Sequence, residues 1–401
     1  MNDPLRKILE SSLFEVAKER NYEDYMLDVS SISTGGANYT SKLYRGKITA
    51  KNGELHFFAK VASVGEAIRS LMPTSIYFIE QLAYKKLATV FNKLETEYNV
   101  PKEHRLRMPE LYWYSDKNLE EVLLIEDLTN DGFETYSRFK PITWDYASKA
   151  VEEVAKFHAL CFAMAIHYPD DDKEIKDAVA IGELPEAQLK FTEGMIKNGE
   201  ELIKKENKET LANFMNQNMS KVLSMFYGTL RRPVIIHSDF RVSNIMHKIS
   251  KEGMYETVLL DYQTYHVGTV ALDLLYFIVS GSDAEFRKKY FHRLIEHYYE
   301  QLRLSLSRLS LEPDTVFPRE DFDYEIKESM ILGLAMALIA LPIVTVDEEH
   351  APTLDGDFDV MANIKTSELC TQRLNDIVDD FIEWGVVPRG KPKKKKKCAI
   401  L

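Results

Sequence analysis

The sequence predicts an α+β chain of two lobes, with a β-rich N-terminal lobe over residues 1–125 and a mainly helical C-terminal lobe over 126–388. A short tail, 389–401, completes it. Three observations lead there. A length of 401 residues is more than one simple core organises. Alternating segments punctuated by glycine crowd the first 125 residues. From residue 144 to 384, apolar residues mostly recur at helical spacing.

Composition limits what the chain can do. It is 45% hydrophobic and 28% charged, ordinary for a globular protein. Net charge is −12, and six lysines in the last eleven residues hide a body that is more acidic still. Nucleic acid is therefore not an expected partner. Cys161, Cys370 and Cys398 are odd in number and widely spaced, against a disulfide framework or a zinc site. The N-terminus is charged throughout, unlike a secretory signal, and a cytoplasmic setting is expected. The uncharged run 331–346 contains Pro342 and is short for a membrane span, so it reads as a buried core helix.

In chain order, residues 4–20 carry Leu5, Ile8, Leu9, Leu13, Val16 and Ala17 at helical spacing. Gly35 and Gly36 lie in a turn before an alternating segment, the kind of hairpin whose N–H groups approach phosphates. On their own, two adjacent glycines equally describe an ordinary hairpin. Asn52-Gly53 marks a two-residue turn. The strand after it ends in Lys60, either a nucleotide-phosphate lysine or a solvent-facing lysine on an edge strand. Residues 75–94 read as an amphipathic helix with Phe78, Leu82 and Leu87 inward. Glu80, early on that helix, pairs naturally with a strand lysine. Strands 111–114 and 121–125 run into Glu126-Asp127-Leu128, where backbone groups near Glu126 and Leu128 are placed to receive an adenine base. The helix 144–164 puts His158 on its apolar side, as a packed core residue rather than a ligand. Residues 166–232 read as two or three polar helices, and 271–279, 285–306, 325–340 and 366–384 as further helices. An acidic loop lies at 347–357.

The chemistry concentrates between His237 and Gln263. A short strand, 234–236, delivers His237-Ser238-Asp239. Asn244 comes five residues after Asp239, and a second strand, 254–260, delivers Asp261. Magnesium takes oxygen ligands and usually draws only one or two from protein. Asn244 and Asp261 are expected to supply them, with ATP as the nucleotide. Asp239 is expected to accept the proton of an attacking hydroxyl.

These residues resemble the ecdysteroid kinase-like family, a group of choline/aminoglycoside-kinase-like small-molecule kinases. The matching stretches include Gly35-Gly36-Ala37-Asn38-Tyr39, Phe58-Ala59-Lys60, Glu80 with Tyr84, Leu124 to Leu128, Phe157-His158-Ala159, His237-Ser238-Asp239, Asn244-Ile245-Met246, Asp261-Tyr262-Gln263 and Ala271 to Tyr276. The resemblance implies a protein-kinase-like two-lobed fold, with ATP and Mg2+ as cofactors and a small-molecule hydroxyl as substrate. It makes Lys60 the α/β-phosphate ligand and Glu80 the residue that orients it. It makes Asp239 the catalytic base and Asn244 and Asp261 the metal ligands, with Asp273 and His237 as scaffold. The implied substrate is an ecdysteroid or related steroid or xenobiotic alcohol. A choline- or ethanolamine-type amino alcohol is the alternative, with Tyr276 and Phe277 as candidates for a cation cage. A non-catalytic, membrane-tethered nucleotide-binding module is the third reading. Two positions depart from the family. Ser238 stands where glycine is usual, at a cost of ~1 kcal/mol or more if φ is positive. Arg241 stands where an aromatic residue is common, and it either favours an anionic or polar substrate or lies in solvent. The chain has no Asp-Phe-Gly and no activation segment of protein-kinase length, which leaves a cleft suited to a small alcohol.

The tail ends Lys-Lys-Lys-Lys-Lys-Cys398-Ala399-Ile400-Leu401. An aliphatic C-a-a-X ending in Leu predicts geranylgeranylation of Cys398. A lysine run is the second signal that stable membrane attachment requires. Peripheral attachment to a cytoplasmic membrane face is the expectation.

Overall fold

A computed structural model describes residues 3–33, 40–69, 75–182, 184, 186–226, 228–347, 349 and 364–389. Gly35, Gly36, Cys398 and most of the acidic loop lie outside the described residues. Helix α1 (Pro4–Glu19) buries Leu9, Leu13 and Val16. They pack against one face of a five-stranded antiparallel sheet built from β1 (Met26–Ile32), β2 (Ser41–Ala50), β3 (Gly53–Ala62), β4 (Leu111–Ser115) and β5 (Val122–Glu126). The strand order is β1-β2-β3-β5-β4. The β2–β3 turn sits one residue earlier than Asn52-Gly53 suggests: Ala50 pairs with Gly53, so Lys51 and Asn52 form it. Along β3, Leu55, Phe57, Ala59 and Val61 are buried, and all four join the core under α1. The two-residue period of a strand then points Lys60 to the opposite face. That strand is central, paired with β2 through Leu43 and with β5 through Leu123, so Lys60 is not on an edge.

Between β3 and β4 lie α2 (Glu66–Arg69), α3 (Ile76–Leu82), a single π turn (Ala83–Leu87) and α4 (Ala88–Glu97). The last three run on as one rod, so the helix expected at 75–94 is present with a wide turn inside it. Its buried face is Ile79, Ala83, Leu87 and Leu94. Phe78, expected inward, is 48% exposed, and Glu80 is buried instead.

The C-terminal lobe is organised around α5 (Trp144–His167), capped by the Thr143 hydroxyl accepting from the Tyr146 N–H. Three helices occupy the polar stretch: α6 (Pro169–Ala178), α7 (Glu186–Glu201) and α8 (Lys205–Phe226). Strand β6 (Glu134–Thr135) pairs with β8 (Ile245–Ile249), which pairs with β9 (Tyr255–Leu259). Strand β7 (Val234–Ile236) pairs with β10 (His266–Gly268). Strand β9, the expected strand 254–260, thus forms a hairpin with β8, while 234–236 pairs with β10. Helices α9 (Val270–Gly281), α10 (Ala284–Arg308), α11 (Pro313–Val316), α12 (Arg319–Val344) and α13 (Glu368–Glu383) complete the lobe. Among the described residues α12 alone is long and apolar enough to cross a membrane, but 72% of its apolar window is buried inside the protein. This agrees with a core helix. A Cβ on Gly199 of α7 would lie 2.5 Å from the Leu338 carbonyl oxygen of α12, so glycine is what lets the two helices approach.

Candidate active site

A cleft of about 450 Å3 lies between the sheet and the β8–β9 hairpin. Ile32, Leu43, Phe58, Ile125, Leu128, Met246 and Leu260 supply apolar wall, suited to a flat base. Lys60, Glu80, Asn244 and Asp261 line it too, so four predicted site residues converge from four separate elements.

The register explains the convergence. Ile245 pairs with Leu259, and the Leu260 N–H donates to the Asn244 carbonyl at 2.8 Å. Asn244 and Asp261 therefore emerge at the same end of one hairpin. The Lys60 ammonium donates to Glu80 Oε1 at 2.6 Å and to Asp261 Oδ1 at 2.5 Å, closing the cleft across both lobes. Burial works against the Lys60 charge, but Asp261 and Glu80 outweigh it and hold the ammonium above its ordinary value. One ammonium serves two carboxylates, and they divide unequally. Burial, the largest influence on Glu80, pushes it up to about 7 against the pull of Lys60. Asp261 is penalised by burial as well, yet Lys60, Arg241 and His237 together bring it below its usual value.

Asp239 stands beside the cleft, with its side chain 18% exposed. Its Oδ1 accepts from Arg241 Nε at 2.9 Å and its Oδ2 from Asn244 Nδ2 at 2.6 Å. The same Asn244 amide also donates to the Asp239 carbonyl at 2.9 Å. That commits the amide nitrogen, while the Asn244 Oδ1 accepts no hydrogen bond from the described residues. Gln263 Nε2 donates to Asp261 Oδ2 at 3.2 Å, and Gln263 Oε1 accepts from the Thr40 hydroxyl at 3.2 Å, a second tie between the lobes. An amide oxygen and a carboxylate facing one cleft form a donor set that fits Mg2+, which needs few protein ligands. Among the described residues no group of three or more His, Cys, Asp and Glu gathers as a denser metal site.

The 237–239 loop is held from behind. Asp273 is fully buried and accepts from the His237 N–H at 2.8 Å and the Ser238 N–H at 2.7 Å. Burial would raise its pKa, but His158 and His237 outweigh that and lower it. His158 is also fully buried, with Nε2 3.0 Å from Asp273 Oδ2 and Nδ1 2.7 Å from the Tyr298 hydroxyl. It is a core histidine, as its helix face suggests, and its second role is to brace the carboxylate that braces the loop. The His237 ring nitrogen Nε2 lies 2.9 Å from the Leu260 carbonyl oxygen, linking the loop to the hairpin. Ser238 adopts φ 68° and Asp261 φ 67°, so the serine does sit where glycine is favoured.

Glu126 and Leu128 both line the cleft, at the end of β5 and just beyond. The Glu126 carboxylate is occupied by Arg107 at 2.8 Å and by the Glu110 N–H at 3.2 Å. The neighbouring Asp127 accepts from the Thr129 N–H and hydroxyl and ion-pairs with Arg45 at 2.7 Å. With both carboxylates engaged, the backbone is what this segment has left to offer a ligand in the cleft. Arg241 is not solvated: its side chain is 13% exposed and pairs with Asp239. Phe277 is fully buried and stacks on Phe240 at 4.7 Å, so it does not form a cation cage; Tyr276 is 6% exposed.

Sequence reading missed Arg45, Thr40, the segment 135–139 that walls the cleft, and Arg373. The Arg373 guanidinium donates to the carbonyls of Arg138, Ser280 and Phe139 at 3.2, 3.3 and 3.1 Å. No spacing signal marks partners more than ninety residues apart.

The ecdysteroid kinase-like family matches residues 35–311 of the chain. No curated protein matches it. Nineteen solved chains do. One is an ethanolamine kinase of Plasmodium vivax, 13% identical, with a TM-score of 0.45, covering 88% of this chain and 81% of that one. Another is the GDP complex of aminoglycoside 2′-phosphotransferase-IIIa, 10% identical, with a TM-score of 0.49, covering 92% and 98%. A third is a glucosamine kinase with glucosamine, ADP and inorganic phosphate, 13% identical, with a TM-score of 0.40, covering 90% and 81%.

Proposed function

The chain belongs to the ecdysteroid kinase-like family, a family of small-molecule kinases, and from that premise we propose that it transfers the γ-phosphoryl group of ATP to a hydroxyl of an apolar, uncharged small alcohol. An ecdysteroid or a related steroid or xenobiotic alcohol is the substrate class. The observation that carries the reading is the Lys60–Glu80–Asp261 cluster, closed across the cleft beside Asp239 and Asn244.

Each residue then has a task. Lys60, held by Glu80, neutralises nucleotide phosphate and stabilises the departing ADP. Asn244 and Asp261 would hold Mg2+, which supplies charge neutralisation on the phosphates when bound. Asp239 orients the acceptor hydroxyl and takes its proton as the new bond forms. Asn244 and Arg241 keep the Asp239 carboxylate in one orientation, which lowers the entropic cost of reaching the reactive geometry. Apolar cleft walls exclude water that would otherwise compete as acceptor.

A neutral alcohol is favoured over choline or ethanolamine. Arg241 already pairs with Asp239, so an ammonium substrate would compete with it for that carboxylate, and Phe277 does not offer the ammonium an aromatic wall. The test is ATP turnover against a panel of ecdysteroids, sterols and amino alcohols, with Asp239→Asn as control. Phosphorylation of a neutral alcohol, lowered at least about 100-fold in Asp239→Asn, is expected. ATP binding with no transfer to any member would instead leave a nucleotide-binding module, and transfer to choline alone would move the substrate class.

The tail fits the same substrate class. Geranylgeranyl on Cys398, with five lysines before it, would hold the enzyme at an anionic cytoplasmic leaflet where an apolar alcohol partitions. The acidic body would be repelled by that leaflet, keeping the cleft in water. Intact mass of protein from eukaryotic cells should show the isoprenoid; an unmodified Cys398 counts against it. Membrane binding should weaken with salt, and insensitivity to ionic strength would remove the role of the lysines.

A further inference from the structure

A ring of hydrogen bonds runs through both lobes, and the phosphotransferase reading uses only one side of it. On that side Lys60 donates to Glu80 Oε1 at 2.6 Å and to Asp261 Oδ1 at 2.5 Å. The other side returns by a different route. Gln263 Nε2 donates to Asp261 Oδ2 at 3.2 Å, and Gln263 Oε1 accepts from the Thr40 hydroxyl at 3.2 Å. Thr40 stands just before β2, and its carbonyl accepts from the Ser63 N–H at 3.3 Å and from the Tyr77 hydroxyl. Tyr77 lies on α3, about one helical turn before Glu80, which closes the ring. The N-terminal lobe thus reaches the Asp261 carboxylate both directly through Lys60 and indirectly through Thr40 and Gln263.

A single contact between two bodies leaves them free to pivot about it, and a second contact at another point removes that freedom. Lys60 is not the lasting one: with nucleotide bound, its ammonium has phosphate to serve. Gln263 is uncharged, and its two ends suit its two neighbours. The Asp261 carboxylate needs a donor, and the Thr40 hydroxyl, acting as donor, needs an acceptor. Glutamate there would set a second negative charge against Asp261, and leucine would bond to neither neighbour. Asp261 also adopts φ 67°, a left-handed angle that a non-glycine residue keeps only where its surroundings fix it. We propose that Gln263 is a positioning residue that couples the lobe-closing contact at Thr40 to the orientation of Asp261, so that nucleotide and Mg2+ bind cooperatively through it. The inference rests on the phosphotransferase reading. Nucleotide that draws the N-terminal lobe onto the hairpin brings Thr40 to Gln263. Gln263 then holds Oδ2 of Asp261, and Oδ1 faces the cleft for the cation. Linkage makes the effect reciprocal, because a cation at Asp261 favours the same closed arrangement.

The test measures binding of a non-hydrolysable ATP analogue by calorimetry on the full chain, once with Mg2+ and once in EDTA. Wild type should bind more tightly with Mg2+. Thr40→Val, which removes the hydroxyl and keeps the shape, and Gln263→Leu should each reduce that gain about tenfold. Their affinity in EDTA should stay within about threefold of wild type. Thr40→Ser keeps the hydroxyl and should keep the wild-type gain. The two losses should not add in the double variant, because both remove the same bond. A full gain in Thr40→Val overturns the proposal, whatever Gln263→Leu does. Losses that add also overturn it, since the two residues would then act separately. Equal weakening with Mg2+ and in EDTA makes the tie a scaffold contact alone, and it too overturns the proposal. In each of these cases wild type still binds nucleotide and the phosphotransferase reading stands. If wild type binds no nucleotide under either condition, that reading itself fails and takes the proposal with it.

Discussion

Ser238 shows how one backbone angle separates a family pattern from this chain. Its φ of 68° is left-handed, and its N–H is spent on Asp273 at 2.7 Å. A serine there carries steric strain that glycine avoids, partly offset by glycine's freer unfolded chain. Ser238→Gly should stabilise the protein by about 0.5–1 kcal/mol in urea unfolding, and Ser238→Val should destabilise it. Equal or lower stability for the glycine variant would mean that the serine side chain makes up the difference. The departure was legible in sequence because it falls inside a motif with a known turn. The role of Arg241 was not. The residue next to a motif gives no sign of whether it turns to solvent or to Asp239, and the answer came from a 2.9 Å ion pair.

Elements far apart in the chain build the walls of the cleft. Helix α13 packs against α10 and α12, and its Arg373 reaches the carbonyls of Arg138, Phe139 and Ser280. Arg138 in turn donates to the carbonyls of Val344 and Val346, at the end of α12. The segment 135–139 is thus held in place by guanidinium groups rather than by strand pairing along its whole length. Arg373→Met should leave two buried carbonyls and one partly buried carbonyl short of a donor and cost about 2–4 kcal/mol in unfolding free energy. It should also raise the KM for ATP more than it lowers kcat, because the wall moves and the Lys60–Asp261 centre does not. A variant with wild-type stability and KM would show that the segment is held by other contacts. The helix carrying Glu80 was readable from its period, but its π turn was not. An inserted wide turn leaves the local hydrophobic pattern almost unchanged while it rotates the residues beyond it.

At the scale of the molecule, buried carboxylates make stability depend on pH. Glu95 is 5% exposed and accepts from the Leu106 N–H at 2.7 Å. Burial pushes its carboxyl up to about 7 from an ordinary 4.5. The folded state therefore holds this proton more tightly than the unfolded chain. Its contribution is fully present below 4.5 and is lost as pH rises through about 7. Glu95→Gln keeps an acceptor for Leu106 and has nothing to ionise. It should be nearly neutral near pH 4.5 and stabilising by about 1–3 kcal/mol near pH 8.5, read from urea curves at both values. A pH-independent effect would place the Glu95 carboxyl in water. The sequence by itself determined the two-lobed α+β order and singled out Lys60, Glu80, Asp239, Asn244 and Asp261 as site candidates, because strand alternation, helical period and short motif spacings are local. Only the tertiary structure decided that β8 and β9 form the hairpin carrying Asn244 and Asp261, that His158 and Asp273 meet behind the loop from 115 residues apart, and that Arg241 pairs with Asp239. Strand partners and buried ion pairs are chosen by packing and desolvation among elements distant in the chain, and a linear pattern carries no record of that choice.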